Sequence, residues 1–301
     1  MSHDHSHTHK VNFNKAFLVG IILNSIFIAI EAGYGIIINS MALLADAGHN
    51  LSDVLGLILA WGATVLAKRS ATNKKTYGMK KSTILAALFN SIILLIAVGA
   101  ILLEAIKKIS NPEPVLGSTM MLVAGIGVVI NMGTALFFVR DRKNDINING
   151  AFLHMAADAA ISLGVVLTGF IISKTNWYLI DPILSIIIAI VITYGTWDLL
   201  KESFNLAIDA VPKNIKVEGI KKYIENIDGV LGVHDLHVWG MSTTENALTA
   251  HVEILDDINN DVILKKISNY LEKNYSINHL TIQFEKDFTN DCKLNKFHQC
   301  C

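Results

Sequence analysis

Residues 41–67 read MALLADAGHNLSDVLGLILAWGATVLA, and this stretch decides what kind of protein the chain is. About 20 mostly apolar residues suffice to cross the hydrocarbon of a bilayer. Asp46, His49 and Asp53 nevertheless sit inside this segment. Ionisable groups are costly in lipid and normally face partners or a water-filled path. His49 and Asp53 are spaced i, i+4, which puts them on one face of a helix, one turn apart. A second apolar stretch, 148–173, repeats the device with His154 and Asp158 at the same spacing.

Working outward, the hydropathy pattern predicts six spans, at 17–38, 41–67, 82–106, 115–139, 148–173 and 178–200. The chain is 52% hydrophobic and only 17% charged, against roughly 25% charged in ordinary soluble domains. The balance of 25 Lys+Arg against 26 Asp+Glu excludes a nucleic-acid binder driven by bulk charge, and no nucleic-acid motif is present. Orientation follows from the short loops. The 2–3 loop carries Lys68, Arg69, Lys74, Lys75, Lys80 and Lys81, and the 4–5 loop carries Arg140, Arg142 and Lys143. The opposite side has only Lys107, Lys108 and Lys174. Both loops, and with six spans both termini, are therefore expected in the cytoplasm of a multi-pass plasma (inner) membrane protein.

The residues leave two readings of each His–Asp pair: a hydrogen bond that serves helix packing, or half of a metal site. Two identical pairs on different spans favour the shared site, because together they supply two imidazoles and two carboxylates. That set suits tetrahedral Zn²⁺. Four ligands close the coordination sphere, whereas catalytic zinc keeps a position open, so the pattern points to a carrier rather than an enzyme. Asp46, one turn before His49, is a weaker candidate for lining the path, as are Glu31, Asn24 and Asn131.

The composition changes after the sixth span. Residues 203–301 hold 10 Lys+Arg and 14 Asp+Glu, a net of −4. Helical periodicity at 215–227 ends before Gly229; strands are read at 232–240 and 245–255, a helix at 261–274 and a strand at 279–285. The order α-β-β-α-β predicts a small open-faced sandwich. Domain limits follow: a His-rich N-terminal tail (1–15), a membrane domain (16–202), a cytoplasmic C-terminal domain (203–288) and a Cys/His tail (289–301). The tract HDHSHTH at 3–9 suits weak metal delivery or buffering. Cys292, Cys300 and Cys301 all fall in the last ten residues, which argues against a disulfide framework.

Several motifs together resemble the cation diffusion facilitator family of metal/proton antiporters. They are EAGYGIIINSMALLADAGHNLSD (31–53), YGMKKSTILAALFNS (77–91), HMAAD (154–158), LKESFNLAIDAVP (200–212), VHDLHVW (233–239) and HLTIQFE (279–285). The resemblance implies a six-helix membrane bundle with a metallochaperone-like cytoplasmic domain that pairs two protomers. It implies zinc export driven by inward protons, with His49, Asp53, His154 and Asp158 as the transport site. Cadmium, cobalt, nickel or iron as cargo, or a membrane sensor without flux, are the alternatives. It also implies a cytoplasmic metal site at His234, His251 and Glu285. Gln283 stands where members with a two-metal centre carry His, and the helix at 261–274 has no His, so a binuclear centre would need His279, Cys292, His298, Cys300 or Cys301 as a substitute ligand. Lys81 and Asp209 match positions that interlock the membrane and soluble parts in some relatives.

Overall fold

The structure, a computed structural model, describes residues 13–139, 146–255 and 258–286. The His tract, Arg140, Arg142, Lys143, Cys292, Cys300 and Cys301 lie outside the described residues. Eleven elements follow one another along the described chain. Six long helices come first: α1 (Phe13–Ile37), α2 (Met41–Ala67), α3 (Ser82–Ser110), α4 (Gly117–Phe138), α5 (Ile146–Thr175) and α6 (Ile180–Ala207). Then come α7 (Val217–Glu225), β1 (Val230–Gly240), β2 (Asn246–Ile254), α8 (Asn260–Tyr275) and β3 (Ile277–Glu285).

Among the described residues, five helices, α2 to α6, are long and apolar enough to cross a membrane, against the six spans expected. The remaining expected span coincides with α1, whose described apolar stretch, Asn24–Ile37, is shorter. Large apolar side chains such as Ile37, Trp61, Val129 and Tyr194 are exposed on these helices, the arrangement expected where lipid rather than water is the solvent. α6 continues to Ala207, through the 202/203 limit drawn from composition. Composition turns polar before the helix ends, because backbone hydrogen bonding does not stop where the hydrocarbon does.

The chain divides into two compact units, residues 1–58 with 92–196, and residues 59–91 with 197–301. In the first unit, Leu43, Val98, Met120, Val165, Ile172 and Ile188 form part of the buried core. α4 and α5 approach closely where Gly117 faces Gly169: a Cβ on Gly117 would lie 2.4 Å from the Gly169 carbonyl oxygen. Small residues at such a crossing let two membrane helices approach to backbone contact. The start of α2 is held by Asp181 of α6. Its carboxylate accepts Ser40 Oγ at 2.6 Å, the Met41 N–H at 2.7 Å and the Ala42 N–H at 3.2 Å. An anion at a helix N-terminus satisfies donors that have no partner within the helix.

In the second unit a three-stranded sheet has the order β1-β2-β3. β1 and β2 pair antiparallel, and β2 and β3 pair parallel. The parallel pair needs a crossover, which α8 provides. The sheet alternates cleanly on β2: Leu248, Ala250, Val252 and Ile254 are buried, while His251 and Glu253 point to the other face. α7 adds Ile220 and Ile224 and α8 adds Ile263, Ile267 and Leu271 to this core, one apolar face from each amphipathic helix. Gly229 takes φ +89° at the turn into β1, where a side chain would be strained. Lys81 Nζ meets Asp209 Oδ1 at 2.7 Å, and Lys80 pairs with Glu245. The Thr243 N–H donates to Thr83 Oγ1 at 3.1 Å.

Candidate metal centres

The helical period carries His49 and Asp53 to one face of α2 and His154 and Asp158 to one face of α5. The two faces meet. His49 Nε2 lies 3.3 Å from Asp158 Oδ1 and 3.8 Å from Asp53 Oδ2. His154 Nε2 lies 3.3 Å from Asp53 Oδ2 and 3.7 Å from Asp158 Oδ2. Each imidazole therefore reaches both carboxylates, and the two rings stand edge to face with centroids 6.2 Å apart. The ligand atoms of His49, Asp53 and Asp158 all lie within 4.8 Å of one another. Bonds of about 2.0–2.1 Å arranged tetrahedrally put ligand atoms about 3.3–3.4 Å apart. The nitrogen–oxygen separations are of that size.

The four groups are not equally sheltered. The Asp158 side chain is 2% exposed, Asp53 30% and His154 45%. Asp158 thus anchors the set, while the His154 and Asp53 side chains are partly exposed. One turn from these residues lies a second layer. Asp46 is buried and accepts Ser162 Oγ at 2.8 Å. Glu31 and Asn131 are buried as well.

In the C-terminal domain, His234, His251 and Glu285 come together from three strands, with their ligand atoms within 4.8 Å of one another. Sheet register brings this about: His234 pairs with His251 across β1 and β2, and Glu253 pairs with Glu285 across β2 and β3. His234 Nε2 lies 3.0 Å from Glu285 Oε2, and His251 Nδ1 lies 2.8 Å from Glu285 Oε1. Two further acids border the cluster that sequence reasoning did not pick out. Glu253 Oε1 is 3.7 Å from His234 Nε2, and Asp235 Oδ2 is 3.6 Å from His251 Nε2. Glu253 was signalled by strand alternation, two residues after His251. Asp235 carried no such signal: a register shift between His234 and His237, with φ +49° at Asp235, turns it toward the histidines. His237 Nε2 pairs with Asp235 Oδ1 at 2.8 Å. Gln283 Nε2 donates to Glu285 Oε1 at 3.0 Å.

The amino-acid sequence is matched in known proteins. The family pattern described as the cation efflux transmembrane domain fits residues 17–206, and that of the cation efflux protein, cytoplasmic domain, fits residues 212–287. The chain belongs to the cation efflux family. Relatives of this cation efflux protein match over most of its length. The cadmium, cobalt and zinc/H(+)-K(+) antiporter of Bacillus subtilis (strain 168) is 37% identical over 291 residues, 95% of this chain and 93% of that protein. The zinc transporter ZitB of Pectobacterium atrosepticum is 35% identical over 302 residues, 99% of this chain and 93% of that one. The metal cation efflux system protein CzcD of Cupriavidus metallidurans is 32% identical over 286 residues, covering 95% and 90%. A solved metal-bound C-terminal domain of a CzcD transporter shares 32% identity, covers 24% of this chain and 99% of that one, and has a TM-score of 0.23. The family is one of multi-pass membrane transporters, not enzymes.

Proposed function

We propose that this cation efflux protein exports divalent metal, zinc first, in exchange for protons through the His49–Asp53–His154–Asp158 site. The observation that carries the proposal is the meeting of two i, i+4 His–Asp pairs on α2 and α5, with N···O separations of 3.3 to 3.8 Å. Imidazole binds metal only when neutral, so metal binding expels protons and proton binding ejects metal. The two aspartates supply the two negative charges that neutralise the cargo. Alternating exposure of one central site to the two membrane faces completes the cycle.

The same reading takes α1 as the sixth span, with both termini in the cytoplasm and the chain in the plasma membrane as a homodimer. Its domain limits are the 1–15 tail, the 16–202 membrane domain, the 203–288 domain and the 289–301 tail. His234, His251 and Glu285 offer nitrogen and oxygen donors that suit zinc, with Glu253 and Asp235 adjacent. A regulatory metal there shifts the population toward the transport-competent dimer, provided it binds that state more tightly. The names of the relatives support zinc, cadmium and cobalt as the cargo to compare.

Purified full-length chain in vesicles with an acidic lumen tests the proposal. Zinc is expected to accumulate in the lumen as protons leave, and His49→Ala, Asp53→Ala, His154→Ala or Asp158→Ala is expected to abolish it. Zinc binding without flux would overturn the transporter reading and leave a sensor. Flux of cadmium or cobalt in preference to zinc would overturn the choice of cargo.

A further inference from the structure

One turn along α2 from His49, and one turn along α5 from Asp158, a second polar layer crosses the same pair of helices. Ser162 Oγ donates to Asp46 Oδ2 at 2.8 Å, as His49 meets Asp158 in the first layer. Asn50 Nδ2 reaches Asp46 Oδ1 at 3.4 Å and Glu31 Oε2 at 3.5 Å. One amide, that of Asn50, therefore bridges the Glu31 and Asp46 carboxyl groups. Glu31, Asp46 and Ser162 are wholly buried, and Asn50 nearly so. Among the described residues, Glu31 Oε1 has no hydrogen-bond partner, and neither has Asn131 Nδ2 of α4.

Among the described residues, the charged and titratable groups beside Glu31 are few. Asp46 of α2 shares the Asn50 amide with it, and His49 of α2 and Asp158 of α5 lie in the adjoining layer. Neither carboxylate pairs with a Lys or Arg among the described residues. Two carboxyl groups bridged by a single amide, buried and without a cation, cannot both be ionised, so the pair holds a proton. Metal bound one turn away changes that balance: its positive charge favours the ionised pair. The O–H bond then breaks, its electrons stay on the carboxylate and the proton leaves for bulk water on the membrane face to which the site is then open.

We infer that Glu31 and Asp46 form a proton-holding pair that empties when metal occupies the His49–Asp53–His154–Asp158 set and refills when metal leaves. Part of the counter-ion is then carried outside the metal ligands. The inference rests on the antiport reading above and deepens it. Reciprocity follows: a proton on the pair weakens metal binding by the same factor that metal weakens proton binding.

The test counts protons released per zinc bound, by titration calorimetry of the full-length chain in buffers of different ionisation enthalpy. Glu31→Gln is expected to bind zinc at the membrane site and to release about one proton fewer per zinc than the wild type, because a neutral amide has none to give. Asp46→Asn, which removes the other partner, is expected to show the same deficit, and Glu31→Asp is expected to restore the wild-type count. An unchanged count in Glu31→Gln would overturn the inference. So would loss of zinc binding in both neutral variants with wild-type thermal unfolding, since the carboxyls would then serve the metal. Failure of both neutral variants to fold would make the pair structural and overturn it equally. A wild-type chain that binds zinc without releasing protons would instead contradict the antiport reading itself.

Discussion

Asp158 and Asp53 both reach the two histidines, yet their burial differs, and that difference sets a rank order for their loss. Asp158 is 2% exposed and touches both imidazoles, whereas Asp53 is 30% exposed. Removing one partner of a fully buried charged pair costs about 3–5 kcal/mol, because the remaining group is left uncompensated. At about 1.4 kcal/mol per power of ten, Asp158→Asn should weaken zinc binding by about two to three and a half powers of ten. Water can take the place of the half-open Asp53, so its loss falls nearer the low end for a truncated hydrogen-bonded charge pair. That is about 2 kcal/mol, or roughly thirtyfold. Both substitutions keep the shape of the side chain, so packing contributes little to the comparison. Calorimetric titration of the full-length chain, in a background where His234 and His251 are replaced by Ala, reads the membrane site alone. Equal losses in the two variants, or a larger loss in Asp53→Asn, would refute the argument from burial.

Three further outcomes follow from the same geometry. Asp181→Ala removes the acceptor for three donors at the start of α2. Charge-assisted bonds of this kind contribute about 1.5–3 kcal/mol each, so tryptophan fluorescence should show a clearly lower unfolding midpoint; an unchanged midpoint would contradict the clamp. The Lys81–Asp209 pair is about half exposed on both sides, and such pairs contribute only about 0–1 kcal/mol. Lys81→Asp or Asp209→Lys alone should therefore lower zinc flux with little change in stability, and the double exchange should restore flux; failure of the rescue would leave Lys81 as an orientation anchor only. Glu285→Gln should remove about one bound zinc per chain in equilibrium dialysis, because Glu285 is the acid that joins His234 and His251. Unchanged stoichiometry would show that the domain holds no metal there.

The membrane site was legible because helix geometry leaves little freedom. His49–Asp53 and His154–Asp158 share a face at i, i+4 whatever the rest of the bundle does, and ionisable groups in lipid need partners. That the two faces meet does not follow from periodicity, which fixes a side chain's bearing on its own helix and nothing beyond it. The repetition of the pattern carried that step. His251 was marked by the resemblance alone, although strand alternation puts Glu253 on its face, and the order α7, β1, β2, α8, β3 is the order read from the hydrophobic pattern. Asp235 was invisible, because its direction depends on a register shift that no local pattern encodes. In the sequence Asp181 is simply an acid near the start of the 178–200 span. Its role depends on where the N-terminus of a helix far away in sequence comes to rest. Ser162 looked like any small residue in a membrane helix, and only the crossing of α2 and α5 gives it Asp46 as a partner.

The central claim is that one tetrahedral set of two imidazoles and two carboxylates holds the cargo. X-ray absorption at the zinc edge tests it most directly, on full-length chain loaded with one zinc and lacking His234, His251 and Glu285. The account predicts a first shell of four nitrogen and oxygen scatterers at about 2.0–2.1 Å, with the outer-shell features of two imidazole rings and no sulfur. His154→Ala should reduce the imidazole features to those of a single ring. A sulfur shell, six-coordinate zinc, or a spectrum unaltered by His154→Ala would contradict it.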